Sequence, residues 1–258
     1  MRALRLALRQ LPYEHRAFIR NPAAAFFTLI FPLIFLVIFN LLFGNDTLTI
    51  QGGETKTSTF YVPAIAAFSV INACYTGLAM QIALARDQGQ LKRVGGTPLP
   101  KLSYLLGKVI YMVGVAVFLV VLVVAFGAAF YDVDVPDQSL PAFLVALATG
   151  AAAFAALAFA TVAFIPNADA SSPVINGIIL PLFFISDVFI PLDSETPTWI
   201  NWAGNVFPIK HLSLSLQTAF NPFSSGAGWE LGHLAIVALW GVAGMIVALR
   251  YFNWEPRV

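Results

Sequence analysis

The chain of 258 residues is 59% hydrophobic and only 10% charged, with a mean hydropathy of +0.81 and a formal net charge of +1. Soluble domains carry about a quarter of their residues charged, so an ordinary water-soluble fold is excluded. The single cysteine, Cys74, excludes a disulfide framework and a cysteine-rich metal site.

The charges are gathered between long neutral stretches: no Asp, Glu, Lys or Arg occurs at 21–45, 57–85, 109–131, 138–168, 170–186 or 231–249. A helix needs about 20 apolar residues, within roughly 17–25, to cross a hydrocarbon core of about 30 Å. Six runs qualify, the fifth being the shortest. The alternation of a spanning β-strand is absent, and a lipid-exposed backbone must satisfy its own hydrogen bonds, so the runs are read as helices. The spacing predicts spans near Ala23–Phe43, Phe60–Leu84, Val109–Phe130, Ala142–Ile165, Val174–Ile190 and Leu231–Leu249. The expected fold class is an all-α membrane protein, with one transmembrane domain over 1–258.

In chain order, "MRALRLALRQLPYEHRAFIRNP" (1–22) reads as a helix lying on the membrane rather than a cleavable signal, since no apolar core precedes Ala23. At 100° per residue Arg2, Arg5, Arg9, Arg16 and Arg20 fall within an arc of about 60°, with Leu4, Leu8, Leu11, Phe18 and Ile19 opposite. That suits an apolar face in the acyl boundary and Arg toward head groups. Pro12 bends this helix or marks its true start, and the helix either only anchors the first span or also meets a partner. The first span carries Pro32 and runs into a polar loop, "GNDTLTIQGGETKTST", whose Asn45-Asp46-Thr47 fits a glycosylation acceptor too common by chance to carry weight.

In the second span Ser69, Asn72, Thr76 and Ala79 repeat at helical spacing as one small, polar stripe, with Phe68 and Tyr75 beside it. Polar groups in a bilayer either bond helices together or line a route. The loop at 85–108 opens with "ARDQGQLKRVGGTPLPK", a short amphipathic stretch broken by Gly and Pro. The fourth span is Ala-rich, a composition for close packing. The fifth holds Asn176, Gly177 and Pro181, and Pro181 is expected to kink its middle. Asp187, near that span's end, is either an interfacial residue reaching water or a buried functional carboxylate.

The segment at 191–230 is too polar and Pro-broken to span, yet Trp199, Trp202, Phe207 and Leu212 make it too apolar for a free loop. It reads as one or two re-entrant or interfacial helices divided at Pro208, with Trp at head-group level. The last span ends at Arg250, leaving the tail "YFNWEPRV".

Lys and Arg set the orientation. Twelve of the 14 fall in the N-terminal segment, the 85–108 loop and the C-terminal end from Arg250; only Lys56 and Lys210 lie on the other side, as does the acidic turn of Asp132, Asp134 and Asp137. Both termini and the 85–108 loop are expected to be cytoplasmic.

No phosphate-binding loop, C-x-x-C, H-E-x-x-H or calcium loop occurs. His15, His211 and His233 are spread over different segments, and His211 with Ser213 and Ser215 lacks a third group, so a hydrolase is disfavoured. The predicted span centres carry no charge, which counts against proton or sodium coupling. A hydrophobic route without its own energy source points to a borrowed one.

At the 85–108 loop the chain resembles the permease subunits of type-2 ATP-binding-cassette exporters. In that family the loop after the second span carries an acidic residue, a nearby Gly, basic residues and a Thr-Pro, and the match falls on Asp87, Gly89, Lys92, Arg93, Thr97 and Pro98. Asp87 stands where Glu is more usual, and Gln90 where a hydroxyl residue often follows. An interfacial N-terminal helix, six spans and a Pro-rich segment before the last span are also similar to the family. The resemblance implies an ATP-driven export subunit for a hydrophobic or amphipathic, drug-like or lipid-like cargo. Its coupling contacts would be Glu14, Arg16, Arg86, Asp87, Gly89, Lys92, Arg93, Thr97 and Pro98. Its route would be lined by Ser69, Asn72, Tyr75, Thr76, Asn176, Leu180, Phe184 and Asp187. It further implies two cytosolic ATPase partners that carry the ATP and Mg, a second permease copy or sister chain, contact with membrane lipids, and no cofactor, metal or catalytic residue on this chain; no nucleic-acid partner is expected. An Ala-rich chain without organelle signals is expected in a bacterial plasma membrane. A secondary transporter or channel, and a membrane scaffold that moves nothing, remain the alternative classes.

Overall fold

The computed structural model describes residues 2–43, 46–50, 53–191, 196–223 and 226–255. Asn45 of the acceptor tripeptide, Arg257 and parts of the 191–230 segment lie outside them. The chain is an all-α membrane protein. Among the described residues five helices are long and apolar enough to cross a membrane: Ala25–Phe43, Thr57–Asp87, Lys101–Tyr131, Leu140–Val162 and Leu231–Tyr251.

The basic N-terminal segment is two helices, α1 (Arg2–Leu8) and α2 (Leu11–Ile19), with Pro12 in the first turn of α2, where its missing N–H costs nothing. The first span is α3 (Pro22–Leu29) and α4 (Phe31–Phe43), interrupted at Ile30 just ahead of Pro32. The polar loop beyond it folds into a hairpin, β1 (Thr47–Ile50) and β2 (Gly53–Lys56), paired antiparallel with Thr47 opposite Lys56.

The second span is the centre of the bundle. It comprises α5 (Thr57–Ile71), a π-helical stretch at Asn72–Gly77, and α6 (Leu78–Asp87), and all of α5 but Thr59 is buried. In the π stretch the Leu78 N–H reaches the Ala73 carbonyl five residues back. After α7 (Gln90–Gly95), the third span α8 (Lys101–Tyr131) takes in the last turns of what reads in sequence as loop. The fourth, α9 (Leu140–Val162), packs between α8 and the last span, α13 (Leu231–Tyr251).

The fifth apolar helix, α10 (Ala168–Phe184), starts and ends six residues before its sequence-based bounds. Asn167 caps its start, the side chain accepting from the Ala170 N–H at 2.9 Å. Pro181 therefore sits in the last turn rather than the middle. Its 17 residues span about 26 Å, the short end of the spanning range. The chain then turns into α11 (Thr198–Val206) and α12 (Pro208–Phe220), divided at Pro208. α11 exposes Trp199 and Trp202, whereas α12 is buried over most of its length against α5, α9 and α13.

Small residues set the closest helix contact. α13 buries only Val237, Gly241, Gly244 and Ala248, one narrow stripe, and a Cβ on Gly241 would lie 2.8 Å from the Ala153 Cα of α9. Backbone cannot yield as a side chain does. Gly241→Leu is expected to destabilise the fold by about 3 kcal/mol, the upper end of ordinary overpacking. The thermal midpoint in detergent should fall, while Gly232→Leu, with open space around it, leaves it unchanged.

Candidate functional site

Two features stand out: a polar apparatus at the end of the bundle carrying the Arg-rich helices, called here the basic end, and an aromatic cleft between spans.

At the basic end α6 leads through Gly89 into α7. Gly89 has φ +69° with nothing near its missing Cβ, so glycine is required for the backbone conformation rather than for space. α7 turns Leu91 inward and Lys92 and Arg93 to the exterior, and Thr97 and Pro98 follow, exposed. Arg86, grouped in sequence with these contacts, lies inside: 1% exposed, it donates from Nη1 to the Val162 carbonyl (3.0 Å) and from Nη2 to those of Ile165 (2.8 Å) and Pro166 (3.2 Å). The last carbonyls of α9 lack helical partners, and a guanidinium with five N–H groups supplies them. Asp87 is also turned inward. Its carboxylate accepts the Ala168 N–H at the start of α10 and lies 3.6 Å from Arg86 Nε. These two residues lock α6 to the α9–α10 turn.

The N-terminal helices dock on the start of α8. Glu14 pairs with Lys108, both largely buried, and Gln10 Nε2 donates to the Ser103 carbonyl at 2.9 Å. Gly107 permits this approach: a Cβ there would stand 3.2 Å from the Ala7 carbonyl oxygen. Glu14 is thus spent within the chain, while Arg16 is exposed. The C-terminal tail folds back, with the Trp254 ring tilted against Tyr104 (5.1 Å between centroids) and close to Gly95, and Glu255 3.8 Å from Lys92.

The second feature is a cleft of about 420 Å³ between α4, the second span and α10, in which Asn72, Thr76, Asn176, Leu180 and Phe184 meet. Thr76 Oγ1 is buried there with no hydrogen-bond partner among the described residues, and Asn176 Nδ2 donates only to Ser172 Oγ, at 3.3 Å. Three predicted route residues, Ser69, Tyr75 and Asp187, do not line it. Ser69 is buried and donates to its own Ile65 carbonyl. Tyr75 bonds Thr161 of α9 at 3.1 Å, and as the Thr161 hydroxyl donates to Leu157, Tyr75 is the donor.

Phe189 closes the cleft, its ring lying 5.3–5.9 Å from those of Phe35, Phe39, Phe68, Phe183 and Phe184. The turn that presents it is pinned to α12. Asp187, at φ +53°, is buried and 3.7 Å from Lys210 Nζ, and its carbonyl accepts from Ser213 Oγ (3.1 Å) and Gln217 Nε2 (2.7 Å). Of the two readings open for Asp187, the one in which it reaches water fails, because the helix ends at Phe184 and the carboxylate folds back onto α12. His211 and His233, scattered in sequence, join α12 to α13: their Nδ1 atoms are 2.6 Å apart, and His211 Nε2 faces the Asn205 carbonyl at 2.9 Å.

The profile of the ABC-2 type transporter family matches residues 11–220, covering α2 through α12. The chain belongs to the ABC-2 type transporter family. It is a permease subunit of that type. None of the curated proteins compared matches it.

For an ABC-2 permease, the loop motif could be found in sequence, but the inward turn of Arg86 and Asp87 could not. Their partners are backbone groups of residues about 80 positions away, and backbone groups leave no compositional trace. The tail contact at Gly95 had a faint signal, two aromatics (Phe252 and Trp254) in a short end segment. Phe189 and Lys210 had none.

Proposed function

We propose that this ABC-2 permease subunit forms the membrane part of an ATP-driven exporter. Two copies, or one with a sister chain, bind two cytosolic ATPase subunits that hold the ATP and Mg. The chain itself carries no ATPase motif and acts by moving its helices. The basic end faces the cytoplasm of a bacterial cell, in keeping with the excess of Lys and Arg there.

The observation that carries the reading is the division of labour around α7. Leu91, Arg86 and Asp87 fasten the helix and its root to the bundle, while Lys92, Arg93, Thr97 and Pro98 are left exposed on a short helix whose backbone is fixed by Gly89. A partner that pushes on α7 moves α6 as one body with the α9–α10 turn. Glu14 and Arg86 support this apparatus rather than touch the partner.

The cargo route is the cleft at Asn72, Thr76, Asn176, Leu180 and Phe184, with Asp187 holding the turn that closes it. A lining of phenylalanines with a few amide and hydroxyl groups suits a hydrophobic or amphipathic molecule, drug-like or lipid-like.

Affinity capture of the detergent-solubilised complex tests docking. Wild type is expected to retain a Walker-motif ATPase, and Lys92→Glu/Arg93→Glu to lose at least ten-fold of it while keeping its thermal midpoint. An ATPase retained equally by both would place the docking surface elsewhere. If wild type retains none while its oligomer survives, the secondary-transporter or scaffold reading takes over.

A further inference from the structure

A second cleft, of about 650 Å³, opens on the flank of the bundle at the basic end, between α2, α3 and α8. It is lengthwise. On α8 its wall is Ile110, Gly114 and Phe118, each four residues after the last, a strip about 12 Å long running down the span. Nothing lies within 4 Å of where a Gly114 Cβ would stand, so the strip faces open space rather than a packed neighbour.

The upper rim is α2, and its rotation is fixed by contact. Glu14 faces Lys108 and Phe18 faces Tyr111, ring centroids 6.4 Å apart. Leu11, His15 and Ile19 then line the slot, and Arg16 follows about 60° further round the helix from Ile19, on its outer edge, with Arg20 just past the helix end. Arg5, Arg9, Arg16 and Arg20 are all exposed, and none is among the ion pairs of the described residues. The chain has few carboxylates to offer them. Asp46, Glu54, Asp132, Asp134 and Asp137 stand at the opposite end; at the basic end Glu14 is paired with Lys108, Asp87 faces Arg86, Glu255 is beside Lys92, and Asp169 stands in the first turn of α10.

We propose that this slot is a binding site for an anionic phospholipid of the surrounding bilayer, with one acyl chain along Ile110, Gly114 and Phe118 and the phosphate at Arg16 and Arg20. An apolar groove that starts beneath a row of unneutralised guanidiniums fits a molecule with a charged head and an oily tail. Guanidinium binds phosphate through paired N–H groups and is less strongly hydrated than ammonium. A second copy of this chain would bring Arg against Arg at this level, so charge favours the lipid. A bound lipid would brace α2 against α8 at the root of the third span.

The test uses the purified full chain and no ATPase, so its outcome is separate from docking at α7. Thermal midpoints are measured in nanodiscs of phosphatidylcholine alone and with a third of the lipid replaced by phosphatidylglycerol. Phosphatidylglycerol should raise the wild-type midpoint by several degrees. Arg16→Gln/Arg20→Gln should keep the phosphatidylcholine value and lose the increment. Gly114→Leu, which fills the slot without a clash, should lose it as well. Native mass spectrometry of wild type should show phosphatidylglycerol retained at least five-fold over phosphatidylcholine at equal supply. Equal retention of the two lipids, or an increment that survives in both variants, overturns the proposal. A shift of the oligomer distribution in lipid-free detergent by Gly114→Leu would make the slot an interface between copies and would also overturn it.

Discussion

Arg86→Met is expected to lower the stability of the folded protein by about 3–5 kcal/mol, the usual consequence of deleting one member of a buried, hydrogen-bonded charge cluster. The Ile165 and Pro166 carbonyls just past α9 lose the guanidinium at once, and that of Val162 keeps the Ile165 N–H at 3.3 Å. Water cannot replace a guanidinium that is 1% exposed. Each buried acceptor left unsatisfied costs about 1–3 kcal/mol, and the losses are not additive because the turn can relax. Asp87 also loses its neighbouring positive charge while it continues to hold the Ala168 N–H. Arg86→Lys should fall between the two proteins, since one ammonium cannot face three carbonyls in fixed directions. A lowered thermal midpoint in detergent, with new protease cleavage near residues 163–168, is the expected result. A midpoint within a degree of wild type for Arg86→Met would mean that the α9–α10 turn is held by other contacts.

The second large effect concerns Asp187 and Lys210. Both are buried, their charges 3.7 Å apart, and Lys210 Nζ also donates to Asn201 Oδ1 at 2.9 Å. Lys210→Met should cost about 3–5 kcal/mol by removing one member of a buried ion pair. Asp187→Asn should cost a comparable amount. Asparagine tolerates the left-handed backbone at this position, so the change isolates the charge. The double variant should be more stable than the sum of the two losses predicts, because the one ion pair can be lost only once. Strict additivity in that cycle would show that the two groups do not interact. The phenylalanine cluster adds a second readout: with the turn loosened, Phe189 should leave its place among the rings, and solvent accessibility of a cysteine placed at 189 should rise in a Cys74→Ala background.

The spans could be read from sequence because charge cannot be left in hydrocarbon, and that rule acts on each residue locally. The 17-residue helix at Ala168–Phe184 was displaced in the reading because its start is fixed by Asn167, a polar residue that resembles loop until its side chain is seen capping the amides. The hairpin at 47–56 is too short for its alternation to rise above a polar loop. Asn72 and Thr76 stand out in sequence as a polar stripe at helical spacing, Asn176, Leu180 and Phe184 follow from the family resemblance, and the five share one cleft. By a uniform helical count Ser69 belongs to the same stripe and Tyr75 lies beside it. One bonds its own helix and the other bonds α9, and the π stretch that shifts the count between α5 and α6 has no sequence signature. His211 and His233 show the general limit, since residues 22 apart in sequence meet only when a re-entrant helix folds against a span.

That π stretch has a mechanical consequence. The second span runs 31 residues, Thr57–Asp87, and Asn72 is the sixteenth. The stretch with the loosest hydrogen bonding separates an arm of 15 residues, Thr57–Ile71, from one of 10, Leu78–Asp87. At 1.5 Å per residue these measure about 22 Å and about 15 Å. A joint between two stiff arms takes up bending, so a sideways displacement of the Asp87 end is absorbed beside the aromatic cleft rather than passed on to Thr57.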